Sequence, residues 1–134
     1  MVTSIVYYSG ELRTESTHLQ SGETYITDAP TDNEGKGEAF SPTDTVATAL
    51  ASCMITVMGI KAVQLGISFI NVTADVQKTM SKNPRRISKI SIVINLPLNL
   101  VKKDKMILEK VGNTCPVHNS LDPKLIRDIN YNWI

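Results

Sequence analysis

Cysteine is scarce in this chain: Cys53 and Cys115 are the only two in 134 residues. An excess of charge of one sign is also missing, since 14 Lys and Arg stand against 13 Asp and Glu for a net charge of +1. The basic residues are scattered, dense only in KNPRR (82–86) and KKDK (102–105), which gives no support to nucleic-acid binding by a basic face. KNPRR holds an Asn-Pro pair between two strand-like runs and reads as a solvated hairpin tip. No stretch of about 18 uncharged apolar residues is present, so no membrane span and no membrane partner are expected. The opening MVTSIVYYSGELRTEST lacks the basic segment, apolar run and small-residue cleavage site of an export signal, and a cytoplasmic location follows as the default. In that reducing compartment two cysteines seldom form a structural staple; they are buried small apolar residues or a transient redox couple.

What is present fits one soluble globular domain over 1–134, with 42% apolar and 20% charged residues and no internal repeat. VTSIVYY, ELRTESTHLQ and ETYITD alternate in the manner of strands and are separated by Ser-Gly pairs at 9–10 and 21–22, which predicts an antiparallel meander. DAPTDNEGKGEAF (28–40) reads as a long polar loop with no element of its own, and loops of that size are often functional.

Helix signals converge at 41–44, where Ser41 can cap, Pro42 suits the first helical position and Asp44 completes a capping-box arrangement. The run from Pro42 to Leu65 contains only Asp44 and Lys61 as charges, so nearly every side of its middle needs cover, and Gly66 is a natural stop. Such a helix belongs at the centre of a fold and suggests a dimer. ISFINVTADVQKTM and RISKISIVINLP predict a hairpin. A second, amphipathic helix is expected over 100–111, with Leu100, Met106, Ile107, Leu108 and Val111 as core positions, and LIRDINYNWI returns to strand composition. The fold class is α+β.

In GNTCPVHNSL (112–121), Asn113 or Thr114 can cap a short helix whose first turn carries Cys115 and Pro116. The helix dipole there favours thiolate, but at about 0.3–1 kcal/mol it moves a thiol by less than one pKa unit. Cys53 lies mid-helix among Ala51, Met54, Ile55 and Val57, where burial raises a thiol's pKa and leaves it inert unless a cation reaches it. His18 and His118 do not complete a zinc set with these cysteines. A Cys-His hydrolase built on Cys115 would have His118 as an awkward base in the same turn.

Two segments taken together, FSPTDTVATALASCM (40–54) and CPVHNSL (115–121), resemble the OsmC/Ohr superfamily of osmotically inducible and organic hydroperoxide resistance proteins, nearer its broad OsmC-like branch. The order of elements matches over essentially the whole chain. The resemblance implies an intertwined homodimer with antiparallel strands wrapped around long central helices. It also implies a peroxidase in which Cys53 attacks an organic hydroperoxide, Cys115 resolves the sulfenic acid as a disulfide, and a dithiol reductant restores both thiols. No cofactor is expected.

In the family an arginine from an early strand favours the thiolate, and Arg13, the only arginine before residue 85, is the candidate. A glutamate near the helix start holds that arginine; here the position is Thr43, with Asp44 either substituting for it or capping the helix. Met54 and Met58 near Cys53 would suit an alkyl tail, or are simply core. The alternative function is a non-enzymatic dimer of the same fold that binds a small molecule or senses redox state.

Overall fold

The three period-two stretches at the N-terminus form β1 (Ser4–Gly10), β2 (Arg13–His18) and β3 (Thr24–Asp28), antiparallel and in sequential order, as the alternation predicts. The computed structural model describes residues 1–134 and divides them into two units, Met1–Val46 and Ala47–Ile134. In the first unit, Glu11 and Leu12 turn the first hairpin with φ of 55° and 64°, the mirror-image turn whose twist suits right-twisted strands. Across the second hairpin Thr17 faces Thr24 and Arg13 faces Asp28. The loop at 28–40 is less bare than expected: Thr31–Asn33 make a 3-10 turn, started by Pro30, whose carbonyl accepts the Asn33 N–H at 2.9 Å.

Helix α1 (Pro42–Gln64) begins in the first unit and continues into the second. Its start is a reciprocal capping box: the Asp44 N–H donates to Ser41 Oγ and the Ser41 N–H to Asp44 Oδ2, both at 3.0 Å. Its end is a Schellman motif around Gly66 (φ 70°), with Ile67 N–H on the Ala62 carbonyl and Gly66 N–H on that of Val63. Ala47, Leu50, Ala51, Met54, Met58 and Ala62 are buried and recur at helical spacing, forming one stripe. Within this chain the cover stops there, for Val46, Ile60 and Val63 are exposed at 40%, 56% and 77%.

In the second unit β4 (Thr73–Ser81) and β5 (Arg86–Leu96) form the expected hairpin. β6 (Ile126–Trp133) pairs with β5 in parallel, so the sheet is not wholly antiparallel. A parallel partner requires a long crossover, and residues 97–125 supply it with α2 (Lys102–Gly112) and the short α3 (Pro116–Ser120). Central β5 buries Ile90, Ile92, Ile94 and Leu96 in one core with the α1 stripe and Leu108 of α2. α2 starts two residues later than predicted, leaving Leu100 before the helix, and Met106 is exposed rather than core.

Close approach explains Gly112. A Cβ there would lie 2.7 Å from the Tyr131 hydroxyl and 3.0 Å from Met58 Sδ, and that hydroxyl is held by the Glu109 carbonyl and, at 2.7 Å, by Asn113 Oδ1. Gly112→Ala is therefore expected to cost about 1–3 kcal/mol in urea unfolding, with a smaller penalty in a Tyr131→Phe background; equal penalties in both backgrounds would refute the contact.

Candidate functional site

The second unit brings the two cysteines near one another. α1 carries Cys53 beside the buried stripe, half-buried, next to fully buried Met54. Cys115 is the N-cap of α3, 1% exposed, and its Sγ accepts the His118 N–H at 3.4 Å. The cap is thus the cysteine itself, not Asn113 or Thr114, because Pro116 takes the first helical position and Cys115 has the extended φ and ψ of a capping residue. Both thiols are free, Cys53 packs against the core cluster that includes Cys115, and the two lie near enough for Cys53 to influence the Cys115 proton.

Burial reverses the dipole expectation. It pushes the Cys115 thiol up, and the neighbouring Cys53 sulfur adds to the shift, while the His118 and Val117 N–H groups act in the opposite direction and lose. Cys115 rests as a thiol at neutral pH. Cys115 is buried, and Cys53, expected to be buried within its helix, is half-buried. Met54 and Met58 are fully buried core residues, which favours packing over an alkyl channel.

His118 touches Cys115 through its peptide N–H and not through the ring, so a hydrolase dyad gains no support. Its ring Nδ1 is shielded without a partner, and burial first, then Arg127, disfavour the imidazolium. Tyr131 of β6 faces the same region: burial, the Glu109 carboxylate and Cys115 push its phenol above the ordinary range. His18, in the first unit, bonds Ser21 Oγ at 2.6 Å on the surface.

The first unit places Arg13 in a two-carboxylate clamp. Arg13 Nε donates to Asp28 Oδ1 at 2.7 Å, Nη2 to Asp28 Oδ2 at 2.8 Å and to Glu38 Oε1 at 3.2 Å. The Glu38 N–H also donates to Asp28 Oδ2 at 3.1 Å, so loop 28–40 is tied to the same carboxylate. Sequence reasoning missed Asp28 and Glu38. The signal for Asp28 was available, since pairing β2 with β3 across the Ser21-Gly22 turn sets Asp28 opposite Arg13. Asp44 is engaged in the cap of α1, and Thr43 Oγ1 lies 3.2 Å from Ser41 Oγ.

A profile of the OsmC-like protein family matches residues 35–127. The chain belongs to that family. Among solved structures, a protein from Psychrobacter arcticus 273-4 is 48% identical with a TM-score of 0.95, over 98% of this chain and 96% of its own; its provisional name is osmotic stress induced and detoxification response protein. An organic hydroperoxide resistance protein OsmC from Legionella pneumophila shares the fold at 15% identity, with a TM-score of 0.76 over 98% of each chain. An OsmC like protein from Mycoplasma pneumoniae does so at 18% identity, with a TM-score of 0.77 over 98% of this chain and 94% of its own. A search of curated proteins returns no match.

The Arg13 guanidinium, first by its hydrogen bonds and then by its charge, outweighs burial and holds the Asp28 carboxyl below the ordinary carboxylate value. A lowered native pKa stabilises the fold above the unfolded value of about 3.9, and that stability is lost as pH falls through the native value. Asp28→Asn is expected to lower Tm by the same amount from pH 6 to 8, with the difference fading below about pH 4. A difference that persists unchanged at lower pH would show that the ion pair is not its source.

Proposed function

We propose that this OsmC-like protein is a thiol-dependent peroxidase that reduces organic hydroperoxides in oxidative stress defence. The observation that carries the reading is the proximity of Cys53 and Cys115, one half-buried on a long helix and one sealed at a helix cap. In this reading the Cys53 thiolate attacks the distal oxygen of the hydroperoxide, the O–O bond breaks, and the alcohol leaves after taking a proton. Cys53 is then a sulfenic acid. The Cys115 sulfur attacks it, an S–S bond replaces the S–O bond, and water leaves with the Cys115 proton. A dithiol reductant returns two electrons and two protons and departs as its own disulfide.

Two features support the roles. The sealed, protonated Cys115 suits a group that acts second, inside the protein, rather than one that meets substrate. Arg13 is assigned, on the family resemblance, as the cation that favours the Cys53 thiolate, with Asp28 and Glu38 holding its Nε and Nη2. Asp44 is assigned to the cap of α1. The substrate class rests on family membership and on relatives named for organic hydroperoxide resistance, and the reducing cytoplasm is the matching compartment.

One equivalent of an organic hydroperoxide is expected to close a Cys53–Cys115 disulfide within one chain in seconds, read by peptide mass spectrometry, and Cys53→Ser to abolish hydroperoxide consumption with a dithiol. Free thiols after that treatment would overturn the reading. The sealing of Cys115 favours a second reading, a redox sensor, which is indicated if the disulfide forms and dithiols fail to reduce it.

A homodimer belongs to the proposal. Apolar Ile60 and Val63 on α1, and Ile5, Val6, Tyr7 and Tyr8 on β1, are each more than half exposed in the single chain, as a surface awaiting a second copy would be. Light scattering is expected to give about twice 14.7 kDa, and a mass near 14.7 kDa in dilute native buffer excludes the dimer.

A further inference from the structure

β6 carries an arginine on a face that is otherwise apolar. Arg127 alternates inward with Ile129, Tyr131 and Trp133, all half-buried, while their neighbours point to solvent. Its guanidinium reaches back to the crossover: Nη1 donates to the Leu125 carbonyl at 2.8 Å and the Asp122 carbonyl at 3.3 Å, and Nη2 to the His118 carbonyl at 3.1 Å. Its Nε is shielded with no partner, a cost the fold sustains in order to aim the two Nη groups at the loop.

The His118 backbone is therefore held on both sides of its Cα. Its N–H is on Cys115 Sγ and its C=O on Arg127. α3 has only five residues, and its other C-terminal bond, Leu121 N–H to the His118 carbonyl, is long at 3.4 Å. Cys53 rides on α1, so in disulfide closure the sulfur whose placement depends on a loop is Cys115. We propose that Arg127 is a positioning residue for disulfide closure, clamping α3 through the His118 carbonyl so that Cys115 stays in line with Cys53. This rests on the peroxidase reading for its biological sense, although the geometry of closure can be tested apart from it.

The chemistry concerned is one step. Cys115 sulfur bonds to Cys53 sulfur, the hydroxyl of the sulfenic acid departs, and the Cys115 proton leaves with it as water. A displaced Cys115 slows that step and leaves the earlier attack on hydroperoxide unchanged, whereas a general loss of structure slows both.

The test compares wild type, Arg127→Met and Arg127→Lys in single-turnover rapid quench with cumene hydroperoxide, with dimedone to trap the sulfenic acid and mass spectrometry to count disulfide. A parallel arm closes the disulfide with diamide, which takes up the two electrons and two protons as its hydrazine and needs no peroxidase activity. Arg127→Met is expected to consume hydroperoxide within about twofold of wild type, to form disulfide about tenfold more slowly in both arms and to accumulate trapped sulfenic acid. Arg127→Lys, which keeps the charge and loses the fork, is expected to fall between. If Arg127→Met does not fold, the same comparison is read on Arg127→Lys. Wild-type disulfide rates in the variants overturn the inference. Failure of wild type with hydroperoxide alone overturns the peroxidase reading, and the diamide arm then decides on Arg127.

Discussion

The α1 stripe of Leu50, Met54 and Met58 packs into one core with Ile90, Ile92, Ile94 and Leu96 of β5, and that seat sets the rotation of the helix. Each residue turns the helix by about 100°, so the residue before buried Met54 is carried to the edge of the stripe, and Cys53 becomes half-buried with no glycine or kink to aim it. The same strand places the other sulfur. β6 joins β5 in parallel, parallel pairing forces a crossover, and the crossover delivers α2, then Cys115, over the core that α1 occupies. Gly112 lets the end of α2 settle against Met58, three residues before Cys115 and one helical turn beyond Met54 on α1.

Burial then decides the protonation of Cys115. At a five-residue helix the dipole and the capping N–H bonds are worth a fraction of a pKa unit each, while desolvation acts on the whole charge of a thiolate. Cys115 is sealed, and there desolvation outweighs the local N–H groups. A dipole argument made on sequence weighs only the local term. The larger one comes from the core in which Cys115 is buried, built from residues remote in sequence.

This marks the boundary of what was legible. Local chemistry could be read: the Ser41 and Asp44 capping box, the Gly66 stop, the three hairpins, the short helix after Cys115 and the pairing of two motifs that pointed to the family. Elements closed by non-local partners could not. The parallel docking of β6 leaves no trace in IRDINYNW beyond its period of two, and Met106 fits a helical period yet faces out because α2 buries a narrow edge through Leu108 and Gly112. Arg127 was visible as a charge on an alternating apolar face, a local inconsistency of the kind that marks special positions. What it holds depends on how residues 116–125 fold back.

Arg13 shows how cross-strand register and a loop together fix a guanidinium. A clamp on a guanidinium must fix its plane and still leave donors to use, which requires acceptors along one edge of the fork. Asp28 meets this by cross-strand register, taking Nε and Nη2 with its two oxygens, and Glu38 closes on Nη2 from the loop. Two carboxylates around one cation reverse the net charge of the cluster, so its long-range field does not favour an anion. What remains at Nη1 is a pair of oriented N–H donors, effective only at hydrogen-bond distance. An arginine held in this way selects by geometry, and an ammonium in its place would surrender its donors to the same carboxylates.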